Sequence, residues 1–368
     1  MRLFLFCSLL FWAEGIFAQQ HSQFDIESIS DNNVEVKEKR KPWLKKTIKA
    51  AGSFLDEMAI SGVDTSYLAL PKYGWKVAIS SNFAGIKTNV SGHDLPVYEN
   101  IDVNMKSKLN GQASVAFGYR SASFKYSWDW AHGYSRDFNF SLLDNPVGIE
   151  IRNHTTDGMF GMLDASSSDG NMKVKKGDVT MKATIINAYY AFNAKKYSLP
   201  AAMDQSLIQI KSAGSVTAYA LFLSANMQAN NRELINAMSS LKKIELYQAA
   251  LGLGYGYNFT PNKGKLLLHL SAAPLLVFFN KSFLTGSMEF PVDEDNEEVI
   301  DIDLSAEVKT RHRMFLTAIA RASLFYNIND HFYLGENALI NDVRFDSKDD
   351  IKLKMKDWII NTQIGIRF

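Results

Sequence analysis

The feature that most narrows the fold is an alternation of apolar with small or polar side chains, repeated from residue 74 to the C-terminus. In Lys243 to Phe259 one row holds Tyr247, Ala249, Leu251, Leu253, Tyr255, Tyr257 and Phe259, and the other Gln248, Ala250, Gly252, Gly254, Gly256 and Asn258. Successive side chains of a strand point to opposite faces, so this ribbon has one greasy, aromatic-tipped face and one small, polar face. Ser121 to Trp130 repeats the pattern, with Ala122, Phe124, Tyr126, Trp128 and Trp130 opposite Ser121, Ser123, Lys125, Ser127 and Asp129. Met314 to Tyr326 and Trp358 to Phe368 do the same. A soluble β-sandwich also alternates, but here the apolar rows are rich in Tyr and Trp and nearly free of lysine. The reading is all-β: a transmembrane antiparallel β-barrel with lipid outside and a polar lumen within.

Twelve strands are expected, at about 74–90, 106–119, 121–131, 136–144, 147–157, 179–194, 206–228, 243–258, 264–280, 308–326, 331–346 and 352–368, with ten to fourteen compatible with the pattern. Connections after even-numbered strands are short except at Ala194 to Gln205, and most of those after odd-numbered strands are long. Barrels of this kind place short turns in the periplasm and long loops outside, so both termini are expected in the periplasm of an outer membrane. Aromatic residues such as Tyr119, Tyr190, Phe192 and Tyr333 would form the interfacial girdles. Glu336 is a misfit, sharing the apolar face with Phe332, Leu334, Ala338 and Ile340. An interfacial position or a bulge would accommodate it.

Residues 1–18 carry Arg2, an apolar run from Leu3 to Trp12 and a closing Ala18, the pattern of a secretory signal peptide. The chain's one cysteine, Cys7, falls within it. Residues 19–73 lack the alternation and read as a periplasmic leader. Within it, Leu44, Ile48, Ala51, Leu55 and Met58 recur at helical spacing beside several lysines, giving an amphipathic helix from about Pro42 to Ala59. Residues 74–368 make the barrel. With 40 basic against 39 acidic side chains, the balance of +1 excludes a general nucleic-acid binder.

Asp64, Thr65, Ser66 and Tyr67, then Leu70, Pro71 and Trp75, introduce the first strand. Further on stands the segment Asn187 to Ser215, marked by Tyr189, Tyr190, Phe192, Asn193, Lys196, Tyr197, Ser198, Pro200 and Ala201, then Gln209, Lys211, Ser212, Ala213, Gly214 and Ser215. From about residue 60 to Phe368 the chain resembles a family of uncharacterised outer-membrane proteins from Bacteroidota, known as a domain of unknown function. The resemblance implies location and barrel form and brings no activity. Physically, Ala194 to Gln205 reads as an exceptional periplasmic turn limited by Pro200, with Lys195 and Lys196 facing the periplasm. It would be a docking turn, a lumen gate or a packing feature, with Lys211 pairing a lumenal carboxylate.

By the alternation, Lys76, Lys125, Asp129, Glu150, Arg152, Lys211, Arg321 and Arg367 line the lumen, together with His154 and His269. Charges of both signs in a narrow interior must pair or line a wet path, since isolating them is costly. No catalytic residue is assigned. His269 and Ser271 share a face, but the lumenal one, and no G-x-S-x-G elbow accompanies them. Loop Glu289 to Glu307 holds nine carboxylates without the glycine or spacing of an EF-hand. No metal and no cofactor are implied. The expected role is a narrow channel or a structural, docking barrel, with a lipid-acting enzyme, phospholipase-like or lipid A modifying, as the alternative. Expected partners are outer-membrane lipid, lipopolysaccharide and the barrel-assembly machinery reading the last strand at Phe368, with no nucleic acid.

Overall fold

The computed structural model describes residues 50, 52–57, 61–93, 100–107, 110–130, 132–165, 172–238, 240–291, 299–308, 314–346 and 352–368. The signal peptide with Cys7 lies outside the described residues. So do the leader up to residue 49 and the middle of the acidic segment, at 292–298. Of the helix expected at 42–59, residues 50 and 52–57 are described and helical.

In chain order the strands are β1 (Leu68–Ala69), β2 (Trp75–His93), β3 (Asn100–Ser107), β4 (Asn110–Tyr119), β5 (Ala122–Asp129), β6 (Ser135–Leu143), β7 (Val147–Thr156), β8 (Met159–Ala165) and β9 (Met172–Val174). There follow β10 (Val179–Ala191), β11 (Ile208–Gln209), β12 (Ala213–Ala229), β13 (Leu241–Phe259), β14 (Leu266–Pro291), β15 (Val299–Val308), β16 (Phe315–Asn327), β17 (Phe332–Asp346) and β18 (Lys352–Arg367). Two short helices, α1 (Leu199–Met203) and α2 (Arg232–Ala237), lie in connections.

Twelve antiparallel strands form a closed barrel in the circuit β2-β4-β5-β6-β7-β10-β12-β13-β14-β16-β17-β18. The circuit closes where β18 pairs with β2, from Lys352 opposite Ser91 to Arg367 opposite Lys76. Short connections at Arg120–Ser121, Asp144–Pro146, Thr260–Lys265 and Ile328–His331 define a turn end, which also holds Trp75 and Phe368. The other end is the loop end. The expected strand count holds, while several boundaries move. Segments expected as loops contain β3, β8, β9 and β15, which continue the sheet beyond the barrel: β3 on β2, β8 on β3, β9 on β8 and β15 on β14. The acidic run was misleading because Ile300, Ile302 and Leu304 alternate with Asp301 and Asp303, a strand written in carboxylates. Strands expected to start at 106, 206 and 308 start at Asn110, Ala213 and Phe315.

Outward residues are apolar over a band whose middle holds Ile79, Leu251, Leu253, Leu270, Leu316, Ile340 and Ile364, all exposed. Toward the turn end the band ends in Trp75, Tyr190, Phe192, Tyr257, Phe259 and Tyr326. A closed barrel leaves no unpaired edge, so an apolar outer face flanked by aromatics is the solution that lipid demands. Tyr333 does not join that girdle. Its neighbours Phe332 and Leu334 face out, so Tyr333 faces in, 2% exposed, beneath the Arg367 guanidinium 4.6 Å from its ring centre. Glu336 stays on the outer face, opposite Leu324 and Thr362, with no bulge in its strand. The irregularity lies in β14, where Ala249 pairs with Phe279 and Ala250 with Val277, so that Phe278 and Phe279 are both exposed.

The sense of the alternation reverses along the strands. In β18, Ile364 and Ile366 face out and Asn361, Gln363 and Arg367 face in, but beyond Asp357 it is Lys354 and Lys356 that are exposed and Leu353 and Met355 that are buried. In β10, Tyr190 is exposed and Asn187 buried nearer the turn end, whereas Lys182 is exposed and Met181, Ala183 and Ile185 are buried nearer the loop end. The two reversals lie at one height: Ile185 pairs with Arg152, and Arg152 reaches across the lumen to Asp357 at 3.0 Å. Above that level β2, β10, β12, β17 and β18 are built like strands of a soluble protein, polar outside and largely apolar inside. The core there includes Ile86, Leu223, Leu246, Val343, Leu353 and Met355, with Leu234 and Ile235 of α2. In the loop-end half the inward rows of β2, β10, β12, β17 and β18 are thus largely apolar, while those of β4 to β7 stay polar through Gln112, Asp129, Asp137 and His154, which corrects the expectation of a polar interior throughout.

Candidate functional site

The segment between β10 and β12 does not make a turn at the rim; it folds back into the lumen as a plug. Ser198 caps α1, its hydroxyl accepting from the Ala201 amide at 3.1 Å, and Pro200 stands in the first turn, where its missing N–H costs nothing. Leu199, Pro200, Ala201 and Ala202 are buried on all sides. Small residues let a helix of five residues fit inside a twelve-stranded wall. After α1, Gln205 turns with positive φ and the chain runs back through β11.

β11 pairs with β1, Leu68 opposite Gln209 and Ala69 opposite Ile208. The Asp64 amide donates to Lys195 O at 2.8 Å and the Ile210 amide to Tyr67 O at 2.7 Å. The two marks that carry the family resemblance, far apart in sequence, are thus clasped together. Lys196 and Lys211 lie over the Tyr67 ring at 5.1 and 5.2 Å. The Asp64 carboxylate accepts from Ser66, and these hydrogen bonds hold it below the usual carboxylate range. Lys211 is exposed in this clasp and does not face the lumen. The expected pairing with a lumenal carboxylate is corrected, because the chain is still outside the barrel wall at residue 211.

The wall grips the plug from several sides. Lys76 donates to the Asp204 carboxylate at 2.7 Å and to its carbonyl at 2.9 Å. Arg367 donates to Gln205 Oε1 at 3.1 Å and Asn327 Oδ1 at 2.9 Å. Asn145, in the β6–β7 turn, donates to Ala194 O at 2.8 Å and Tyr197 O at 3.2 Å. Tyr197 is fully buried, its hydroxyl over Gly256, where an added Cβ would collide with the phenol oxygen. Burial pushes the Tyr197 phenol well above its ordinary value.

A line of hydrogen bonds couples the wall to the same plug. Asn258 donates both amide hydrogens, to Ser198 O at 2.7 Å and Gln209 Oε1 at 2.9 Å. Its oxygen must then accept from His269 Nδ1–H at 2.8 Å, which leaves His269 Nε2 to accept from Ser271 Oγ at 3.0 Å. Ser271, His269 and Asn258 stand in the order nucleophile, base and orienting amide. Asn258 and His269 have no exposed surface, and the Tyr197 ring centre lies 6.2 Å from the imidazole.

Above the plug, Arg321 donates to Glu150 at 2.6 Å and touches Met203 Sδ at 3.5 Å. Higher still, Arg152 bridges Asp137 and Asp357, each at 3.0 Å, and His154 Nδ1 meets Asp137 at 2.8 Å. Asp129 is buried and accepts from the His132 amide at 3.1 Å. The structure thus brings Lys76, Lys125, Asp129, Glu150, Arg152, Arg321 and Arg367 to the interior as the alternation places them. Of the turn motif, Tyr190 and Phe192 face out, and Asn193 donates to Gly214 O at 2.8 Å. Tyr189 faces in, donating to Asp144 O at 2.8 Å, and Lys196 stays exposed while Tyr197 and Pro200 enter the plug. Asp137, Asp357 and Asp204 are absent from the sequence reading, which places Asn258 on the polar row without a role. The first two lie on inward rows beside Phe138 and Trp358 and were readable; Asp204 was not, since its segment carries no strand alternation.

A family model described as "Domain of unknown function (DUF4421)" matches residues 62–368. The chain belongs to this family. The match starts just before Asp64, so the DUF4421 region takes in clasp, plug and barrel together. Among solved structures, the chain is similar to the outer membrane protease OmpT of Escherichia coli, at 10% identity over 81% of this chain and 97% of that one, TM-score 0.39. It is also similar to the β domain of the Bordetella autotransporter BrkA, at 8% identity over 81% and 100%, TM-score 0.31. A third likeness is to the outer membrane protein OprG of Pseudomonas aeruginosa, at 9% identity over 82% and 99%, TM-score 0.28. No curated protein matches the sequence.

Proposed function

We propose that this DUF4421 protein is an outer-membrane barrel that is closed at rest and docks a partner at its periplasmic, turn end. The supporting observation is double obstruction: the plug with α1 stands in the turn-end half of the lumen, and a core of largely apolar side chains packs in the loop-end half. Lys72, Lys195, Lys196, Lys211, Lys263 and Lys265 are all exposed at the turn end, a basic face suited to an acidic partner surface. Purified barrel in a planar bilayer is expected to pass no steady current; a stable ohmic conductance by the unmodified chain would overturn this reading in favour of the narrow channel. Orientation has its own test. A Lys263→Cys variant in intact cells should resist a membrane-impermeant maleimide and react once the outer membrane is opened. Lipid around the apolar band and the assembly machinery at exposed Phe368 remain the natural partners of such a barrel.

The lipid-acting alternative rests on the line Ser271, His269 and Asn258. Ser271 is 8% exposed and the seated Tyr197 lies beside it at Gly256, so a fluorophosphonate probe should leave it unlabelled. Labelling of the native barrel that Ser271→Ala removes would favour the enzyme.

A further inference from the structure

Beside the plug, two adjoining cavities of about 150 Å³ each run along the inner wall. They share Lys125, Asn139, Glu150, Met203, Asn337 and Asn361. The first reaches down to Lys76 and Tyr333, both next to the turn-end starts of their strands, and the second ends against Arg152, Asn187 and Arg321. Plug residues Met203 and Asp204 form one side.

Three cations line this chamber, and each keeps a donor without a partner among the described residues. Lys125 makes no ion pair or hydrogen bond among the described residues, although Asp137 and Glu150 lie within electrostatic range. Arg152 spends Nε and Nη1 on aspartates, and its Nη2 is buried without a partner. Arg321 spends Nη2 on Glu150, and its Nε is likewise buried without a partner. The two arginine side chains are 9% and 10% exposed. Buried N–H groups of charged side chains are expensive to leave unmade. Among the charged residues that line the chamber, Lys76, Lys125, Arg152 and Arg321 stand against Glu150 and Asp204, and Lys125 is the cation with no bonded partner among the described residues.

We infer that the chamber is a binding site for a small oxyanion, a phosphate or a carboxylate, held by Lys125 beside the Arg152 and Arg321 guanidiniums that line the same cavity. Asparagines 139, 187 and 337 supply amides that can orient it. Charge-assisted hydrogen bonds from a guanidinium favour planar or tetrahedral oxyanions over spherical halides. The chamber's lower part ends beside the Lys76–Asp204 pair near the turn end, and apolar side chains such as Leu339 and Ile359 lie at its upper end.

The test uses the full barrel in detergent, incubated with radiolabelled inorganic phosphate and, in a separate arm, with labelled acetate. Saturable uptake of either is expected, weakened roughly tenfold or more in Lys125→Met. Lys182→Met, at an exposed lysine of β10 near the loop end, should bind as the parent does. Folding of each variant is checked by heat-modifiable migration, and Asn187→Leu, which fills the chamber without removing a charge, should weaken uptake independently. Phosphate uptake alone or acetate uptake alone identifies which oxyanion is held. No saturable uptake of either by natively migrating barrel overturns the proposal, and so does uptake unchanged in both Lys125→Met and Asn187→Leu. None of these outcomes depends on conductance, so the closed-barrel reading stands or falls separately.

Discussion

Tyr197 and Gly256 show how much of the plug's seating depends on single residues. The phenol occupies the space a side chain at 256 would take. Gly256→Ala should push Tyr197 out of register at a cost of about 1–3 kcal/mol, the usual range for overpacking. Hydrogen exchange is expected to quicken at Ser198 to Gln209 while β13 and β14 keep their protection; unchanged exchange would show that the ring has other room. In the sequence Gly256 was only one of several small inward residues, because a glycine emptied to admit a ring looks like any other lumenal glycine. Asp144 makes a different case. Burial in the β6–β7 turn pushes its carboxyl up to about 6, so the native state holds a proton that the unfolded chain has already lost. Its contribution to stability is complete below the ordinary value of 3.8 and is lost as pH rises through about 6. Asp144→Asn should recover about 2 kcal/mol at neutral pH and flatten the dependence between about pH 4 and 7. The midpoint temperature of heat-modifiable migration across that range measures both effects.

At the scale of elements, the strands were legible and the plug was not. A period of two is a local signal, and β13 or β18 declares it within one strand. Helix α1 is held by side chains from β2, β13, β17 and β18, none of which its own sequence mentions. The reversal of polarity was written in the sequence all the same. Lys352 to Asp357 alternates as strictly as the residues after it, with lysines on the row that later carries Trp358 and Ile360. What the alternation alone withholds is which row faces the axis, and the closed circuit supplies that. Adjacent substitutions should therefore behave oppositely. Met355→Asp places a carboxylate on the apolar inward row and should cost about 3–5 kcal/mol or abolish folding. Lys354→Asp, one residue away on the exposed row, should stay within about 0.5 kcal/mol. Comparing the folded fraction after refolding in detergent decides this, and equal losses would place the water boundary elsewhere.

For the molecule as a whole, length and charge said little, whereas strand parity gave the barrel, its count and its two kinds of connection. The interior departs from the polar lumen that parity suggested, since a plug stands in one half and apolar residues of β2, β10, β12, β17 and β18 pack in the other. The plug has a further consequence for how the barrel is held shut around its circumference. Lys76 and Arg367 are register partners in the pairing of β2 with β18, the seam where the ends of the barrel chain meet. Consecutive plug residues, Asp204 and Gln205, bind those two side chains. The seam joins residues farthest apart in the chain, so its closure carries the largest loop entropy of any strand pair. The plug is thus a stitch laid across the weakest join. Replacing Asp204 and Gln205 together by alanine should speed amide exchange along β2 and β18 while β5 to β7 keep theirs. A barrel so altered would fail by unzipping from its terminal strands, with the wall parting before the lumen clears.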